Sequence, residues 1–310
     1  MNHILRAQQF DKSSLERLFK KAAEIQGRFE TPTTRPQLRE LLCGKLAVIL
    51  FYEASTRTSS SFAAAAHHVG MGSILIQNAR EFSSAIKGET LEDTIQTYCQ
   101  YGPDVIILRH YEMGAADRAA AIVERKAYPT TIINAGDGKG QHPTQALLDL
   151  FTIQSRLGRL NDLTVTVGGD LANGRTARSL VYLLSKFPGV KFNFISPSNL
   201  VMEDDIKGHL REHGIEFVEC TSLQEALSSA DVVYWTRIQT ERGGVNDEID
   251  LTIGVEQMKW LPEKAVLLHP LPRVGEISRG VDEDPRAAYF NQVRNGMFIR
   301  MALLQEACLT

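Results

Sequence analysis

Residues 46–69 read LAVILFYEASTRTSSSFAAAAHHV, and this stretch decides the fold. Leu46–Tyr52 is a continuous apolar run with no alternation, the pattern of a strand covered on both faces. Such strands belong to parallel sheets flanked by helices. Glu53-Ala-Ser-Thr-Arg-Thr58 then breaks the run with polar side chains, and Ser59–Val69 continues in a helical pattern. Strand, polar turn and helix, in that order, open a βαβ unit.

The same alternation extends outward in both directions. Further strands are predicted at Asp104–Leu108, Thr130–Asn134, Leu163–Val167, Lys191–Ile195, Ile215–Glu219, Asp231–Trp235 and Ala265–Leu268. Helix starts are legible at Thr90-Leu-Glu-Asp93 and Ser222-Leu-Gln-Glu225, both capping boxes, and at Pro143, which suits a first helical turn. Three strands precede the helix Pro143–Leu157 and five follow it. With 310 residues, the chain exceeds what a single core of about 250–300 residues accommodates. The expected architecture is therefore α/β: two doubly wound parallel-sheet lobes joined by interdomain helices. The first lobe is expected over 1–142 and the second over 143–289. The last helix, predicted from about Pro285 to Cys308, is apolar enough to need burial on more than one side, and its 290–310 portion is expected to rejoin the first lobe.

Composition narrows the function. The net charge is −3 with both signs interspersed, which argues against a nucleic-acid surface. No apolar run approaches the ~20 residues of a membrane-spanning helix, and the first 25 residues lack a signal-peptide core, so a cytoplasmic chain with no membrane partner is expected. Cys43, Cys99, Cys220 and Cys308 stand far apart without a CxxC pair, a pattern of reduced thiols with no metal and no cofactor implied.

In open α/β sheets, ligands bind beyond the carboxyl ends of the strands, where helix N-termini present free N–H groups. Ser55, Thr56, Arg57 and Thr58 follow the first strand and offer hydroxyls, a guanidinium and helix N–H groups to one anion. A hydroxyl-rich cap beside a solvated arginine has the same spelling. Arg109 follows the second strand, where a plain surface arginine is the alternative reading. Ala135-Gly-Asp-Gly-Lys-Gly-Gln-His142 follows the third, and its glycines allow close approach of backbone to a ligand. His142 and Gln145 share a helix face; a neutral histidine there can donate to a developing oxyanion, although a lone histidine at a helix start is more often merely satisfied. Gly168-Gly-Asp-Leu-Ala-Asn-Gly-Arg175 fails the dinucleotide spacing, and Arg175 suits a carboxylate. Arg237 and Gln239 occupy alternate positions after the Asp231–Trp235 strand. His269-Pro-Leu-Pro-Arg273 makes a stiff turn that exposes carbonyls, and either X–Pro bond can be cis. Arg57, Arg109, Arg175 and Arg237 each follow a different strand, so an acidic molecule concentrates cations for one doubly anionic ligand or two anions. No nucleophile-elbow, phosphate-loop or zinc-hydrolase pattern is present.

Taken together, Phe51-Tyr-Glu-Ala-Ser-Thr-Arg-Thr58, Lys87-Gly-Glu-Thr90, Leu108-Arg-His110, His142-Pro-Thr-Gln-Ala-Leu-Leu-Asp149, Gly174-Arg-Thr176, Thr236-Arg-Ile-Gln239 and His269-Pro-Leu-Pro-Arg273 resemble the aspartate/ornithine carbamoyltransferase family, in family order and over nearly the whole chain. The last two segments favour its aspartate-using branch. The resemblance implies a 1–142 carbamoyl-phosphate-binding domain, a 143–289 aspartate-binding domain and a cofactor-free reaction that gives N-carbamoyl-L-aspartate and phosphate in pyrimidine biosynthesis. It implies that Ser55, Thr56, Arg57 and Thr58 hold the phosphate, that Thr58, Arg109 and His142 polarise the carbonyl, and that Gln145, Leu271 and Pro272 meet the carbamoyl amide. Arg175 would take the α-carboxylate of aspartate, and Arg237 with Gln239 the β-carboxylate. Ser83 and Lys87 would reach a neighbouring subunit's site, making the unit a homotrimer, with a regulatory chain or a pathway enzyme as a further partner. Glu53 would orient Arg109, and Asp170 and Arg242 would support the second-substrate loop. The sequence departs from the family's pattern at Ala172 and in a short, glycine-rich 243–250 loop. Three rival readings are transfer to another amine such as ornithine, a catalytically inactive binding homologue, and a nicotinamide enzyme.

Overall fold

The computed structural model describes residues 3–138, 140–238 and 250–309. The chain divides into two compact units, Met1–Thr144 with Asn295–Thr310, and Gln145–Arg294. It leaves the first within the helix Pro143–Leu157 and returns within the helix Tyr289–Leu309.

The first unit is built on β1 (Leu46–Phe51), β2 (Gly72–Ile76), β3 (Val105–His110) and β4 (Thr131–Asp137), all parallel in the order β2-β1-β3-β4. From Ala47 to Phe51 no side chain is exposed, and β3 and β4 are buried throughout, as the unbroken apolar runs require. Helices Leu91–Cys99 and Ala115–Arg125 cover one face, packing Ile95, Ala119 and Val123 with Val48, Leu50, Ile106 and Leu108. The alanines let the helix approach the sheet closely. The Thr90 hydroxyl accepts the Asp93 N–H at 3.1 Å, fixing where the first of these helices begins.

The second unit carries β5 (Thr164–Gly168), β6 (Lys191–Ile195), β7 (Phe217–Glu219), β8 (Val232–Trp235) and β9 (Val266–Leu268), again all parallel, in the order β7-β6-β5-β8-β9. The α/β class with two parallel sheets is thus the observed one. The first sheet holds one strand more than its sequence announces, because β2 is an edge strand whose Ile74 and Leu75 are 36% and 45% exposed. The last helix begins at Tyr289 rather than near Pro285. Asp284 accepts the Arg286 backbone N–H at 2.9 Å and pairs with the Arg286 guanidinium, closing a turn that competes with helix. Farther along, Phe298, Ile299, Met301, Ala302, Leu303 and Leu304 are all fully buried, so this segment is covered on every side.

Both sheets reverse their winding once, between β1 and β3 and between β5 and β8. At each reversal the loops beyond the two central strands diverge, leaving a crevice at their carboxyl ends. The opposite ends are closed by matching aspartates. Asp104 accepts the Leu46 N–H at 2.8 Å and the Lys45 ammonium at 2.9 Å; Asp231 accepts the Thr164 N–H and the Arg159 guanidinium, each at 2.9 Å. In each sheet one carboxylate holds the start of the neighbouring strand and so sets its register.

Candidate functional site

In the first unit, Phe51 pairs with Arg109, and the Tyr52 N–H donates to the Arg109 carbonyl at 2.8 Å, so β1 and β3 end level. Arg109 is 8% exposed. Its Nη1 donates to the Ala135 carbonyl at 3.2 Å and its Nη2 lies 3.1 Å from Glu53 Oε2. One guanidinium therefore joins the ends of β1, β3 and β4, which is the geometry expected for Glu53 orienting Arg109. Beyond β4, Gly138 adopts φ +52°, and a Cβ there would lie 2.5 Å from the Tyr111 carbonyl oxygen, so only glycine fits. His110 is buried and accepts the Glu112 N–H on Nδ1 at 3.0 Å; burial lowers its pKa and favours the neutral ring.

Ser55 is the N-cap of the helix Thr56–His68, placing Thr56, Arg57 and Thr58 in its first turn. Their N–H groups point out of the helix end. Thr58 is buried, while Thr56 and Arg57 are exposed. His142 is 4% exposed, immediately before the helix Pro143–Leu157, with Nδ1 3.4 Å from the Thr144 hydroxyl. The hydroxyls, two arginines and the histidine thus stand at strand ends and helix starts of one unit. Ser83 and Lys87 belong to the segment after β2. The Ser83 hydroxyl donates to the Ala79 carbonyl, and Lys87 is exposed with no ion pair among the described residues.

The second crevice lies where β5 and β8 meet. Gly169 adopts φ +101°, and a Cβ there would sit 2.0 Å from the Thr236 carbonyl oxygen. The Thr236 N–H and hydroxyl both donate to the Gly168 carbonyl, at 2.9 and 3.0 Å. Asp170 is fully buried and accepts the Asn173 N–H at 2.9 Å, which shapes the loop leading to Arg175. Arg175 opens the helix Arg175–Leu184 and is 8% exposed; Arg237 follows β8 and is half-buried. Gln239, Arg242 and residues 243–249 lie outside the described residues.

The turn after β9 contains a cis Leu271–Pro272 bond, and Leu271 has φ +55°. The buried His269 accepts the Leu271 N–H on Nδ1 at 2.8 Å and places Nε2 2.8 Å from Glu276. A ring nitrogen that accepts an N–H carries no proton, so Nε2 is the donor to the carboxylate. Burial alone would raise the Glu276 carboxyl; hydrogen bonds from His269 and the backbone N–H groups of Gly275, Glu276 and Val274 instead hold it at about 2. A depressed carboxyl pKa stabilises the fold fully above its ordinary value of 4.5, and this contribution fades as pH falls toward about 2. Glu276→Gln should therefore cost about 1.5–3 kcal/mol at pH 7. The cost should shrink between pH 4.5 and 2, as read from melting temperatures of both proteins across that range. A constant difference across that range would show that the carboxylate's charge is not what matters.

One further group was not singled out in the sequence reading. Asp149 is fully buried and accepts Nε2–H from Gln145 at 2.8 Å and from Gln292. Burial, and then the Asp149 charge, push the Tyr234 phenol far above its usual range. Gln145 and Asp149 are four apart on one helix, which is a signal for contact; Gln292 lies 143 positions away and carries none.

Residues 2–155 match the aspartate/ornithine carbamoyltransferase carbamoyl-P binding domain, and residues 161–306 match the Asp/Orn binding domain of the same family. A chloroplastic aspartate carbamoyltransferase of Arabidopsis thaliana is 48% identical over 98% of this chain and 77% of its own length. The multifunctional protein CAD of Squalus acanthias is 46% identical over 97% of this chain, a match that spans 13% of that protein. A Trypanosoma cruzi aspartate transcarbamoylase solved with carbamoyl aspartate and phosphate superimposes with a TM-score of 0.88 at 38% identity, covering 98% of this chain and 94% of that one. The expectation of a cytoplasmic chain is corrected by the plant relatives, which at 47–48% identity are chloroplastic. Cellular addresses reside in removable segments, so the composition of a folded enzyme does not report them.

Proposed function

The chain belongs to the aspartate/ornithine carbamoyltransferase family, and from that membership we infer how its residues divide the work. It transfers the carbamoyl group of carbamoyl phosphate to the amino group of L-aspartate, giving N-carbamoyl-L-aspartate and phosphate in pyrimidine biosynthesis. In our reading Ser55, Thr56, Arg57 and Thr58 hold the phosphate through hydroxyls, helix N–H groups and one guanidinium fork. Thr58, Arg109 and His142 donate to the carbonyl oxygen as charge gathers on it. Gln145 and the Leu271 carbonyl receive the carbamoyl amide, with Pro272 holding the turn. Arg175 and Arg237, together with Gln239, take the two carboxylates of aspartate.

The neutral amine attacks the carbonyl carbon, a tetrahedral oxyanion forms, the bond to the phosphate oxygen breaks, and the departing phosphate accepts the amine proton. No protein nucleophile enters. Positioning and electrostatic stabilisation carry the barrier, and one oxyanion donor is worth about 2.7–4 kcal/mol. The observation that carries the reading is the placing of arginines at both sheet reversals, Arg57 and Arg109 in one and Arg175 and Arg237 in the other.

We further propose a homotrimer in which Ser83 and Lys87 serve a neighbouring copy. The exposure of Lys87, with no ion pair of its own among the described residues, supports this. The multifunctional relative supports association with other enzymes of the pathway, beside the alternative of a regulatory chain.

Phosphate release from carbamoyl phosphate should require aspartate, with ornithine at least about 100-fold poorer, because an ammonium side chain meets the like charge of Arg237 where a carboxylate would be attracted. Faster release with ornithine would overturn the aspartate assignment.

A further inference from the structure

We propose that Asp149 is a positioning residue that makes the site selective for the NH2 of the carbamoyl group. This deepens the reading above and rests on its assignment of Gln145 and Leu271 to that amide. A carboxylate only accepts, so the two glutamines that approach Asp149 must do so through Nε2, whichever way their amides would otherwise turn. Gln145 then presents Oε1 on its other side, and among the described residues nothing donates to that oxygen. Gln292, held the same way, presents its Oε1 to the His269 N–H at 3.0 Å. His269 in turn takes the Leu271 N–H on Nδ1 at 2.8 Å, with Glu276 fixing the tautomer from the far side of the ring. With its N–H committed, Leu271 offers only its carbonyl, which no described residue fills.

One buried carboxylate thus commits two acceptors, Gln145 Oε1 directly and the Leu271 carbonyl through Gln292 and His269. A primary amide carries two N–H donors, so two fixed acceptors match it and reject a methyl group of the same size. If the Gln145 amide were released from Asp149, it could rotate and present a donor instead, and the match would be lost.

The test uses two stable competitors of carbamoyl phosphate, phosphonoacetamide and acetonylphosphonate, in which a methyl replaces the NH2. The wild-type enzyme should prefer the amide by about tenfold in inhibition constant, the equivalent of two modest hydrogen bonds. Asp149→Leu should weaken phosphonoacetamide about tenfold and leave acetonylphosphonate within about twofold. Asp149→Asn, which keeps an acceptor for both glutamines, should restore most of the preference. Equal weakening of both competitors by Asp149→Leu, or an intact preference, would overturn the proposal. If Asp149→Leu does not fold, Gln292→Met decides. It severs only the arm toward His269 and should cost about half of the preference on a logarithmic scale; an unchanged ratio would refute the relay. A wild-type enzyme that shows no amide preference would instead remove the underlying assignment of Gln145 and Leu271. Loss of preference in Gln145→Ala but not in Asp149→Leu would leave that assignment standing and sink the role of Asp149 alone.

Discussion

Arg57→Ala should reduce kcat/KM by about 10²–10³, the 2.7–4 kcal/mol that a donor aimed at developing negative charge contributes. Arg57 stands in the first turn of the helix Thr56–His68, where the helix end already favours an anion, so the guanidinium adds a bidentate partner to a prepared site. The residue is exposed, and its loss opens no cavity. Melting temperature should consequently stay within about 2 °C of wild type, as for other surface substitutions. The defect should fall on both kcat and the KM for carbamoyl phosphate, since phosphate is contacted in the ground state and becomes the leaving group in the transition state. A variant that keeps more than about a tenth of wild-type kcat/KM, a loss under about 1.4 kcal/mol, would remove Arg57 from the phosphate site.

A second large effect is expected from mixing two inactive proteins. If Lys87 completes the site of a neighbouring copy in a trimer, Lys87→Ala and Arg57→Ala should each be nearly inactive alone. Reassociated together, they should regain roughly a quarter of wild-type activity. About three quarters of randomly assembled trimers contain both chains, and each of those holds one site that draws Arg57 from one chain and Lys87 from the next. Activity that does not rise, in a sample shown by sedimentation to have exchanged chains, would mean that the site is built within a single chain.

Much of this architecture is written plainly in the sequence. Buried strands such as β1 and β3 announce themselves because both faces are covered, so no polar residue interrupts them. β2 does not, because Gly72, Ser73, Ile74 and Leu75 are exposed at the sheet edge and five residues give no burial pattern to read. The cations at strand ends are equally legible, since a charged residue after an apolar run has few places to go. What joins them is not. The link from Arg109 to Ala135 spans 26 positions and arises from the level ends of three strands, a matter of register. The Asp149–Gln292–His269 relay depends on the last helix passing the 143–157 helix, and no local pattern encodes such a meeting. Location in the cell was misread for a different reason: it is not a property of the fold.

The return of Asn295–Thr310 to the first unit has a consequence for how the protein is made. Phe298 meets Phe29 edge to face, the Thr131 hydroxyl donates to the Ala307 carbonyl at 3.1 Å, and Lys21 lies 3.6 Å from Glu306. On the ribosome, Gln145–Arg294 is therefore the first unit to have all its parts, although its synthesis starts second. The earlier unit waits, with the apolar surface destined for Phe298 through Leu304 uncovered, until those residues clear the exit tunnel. Birth order and completion order are reversed, and the nascent chain needs shelter longest where it emerged first.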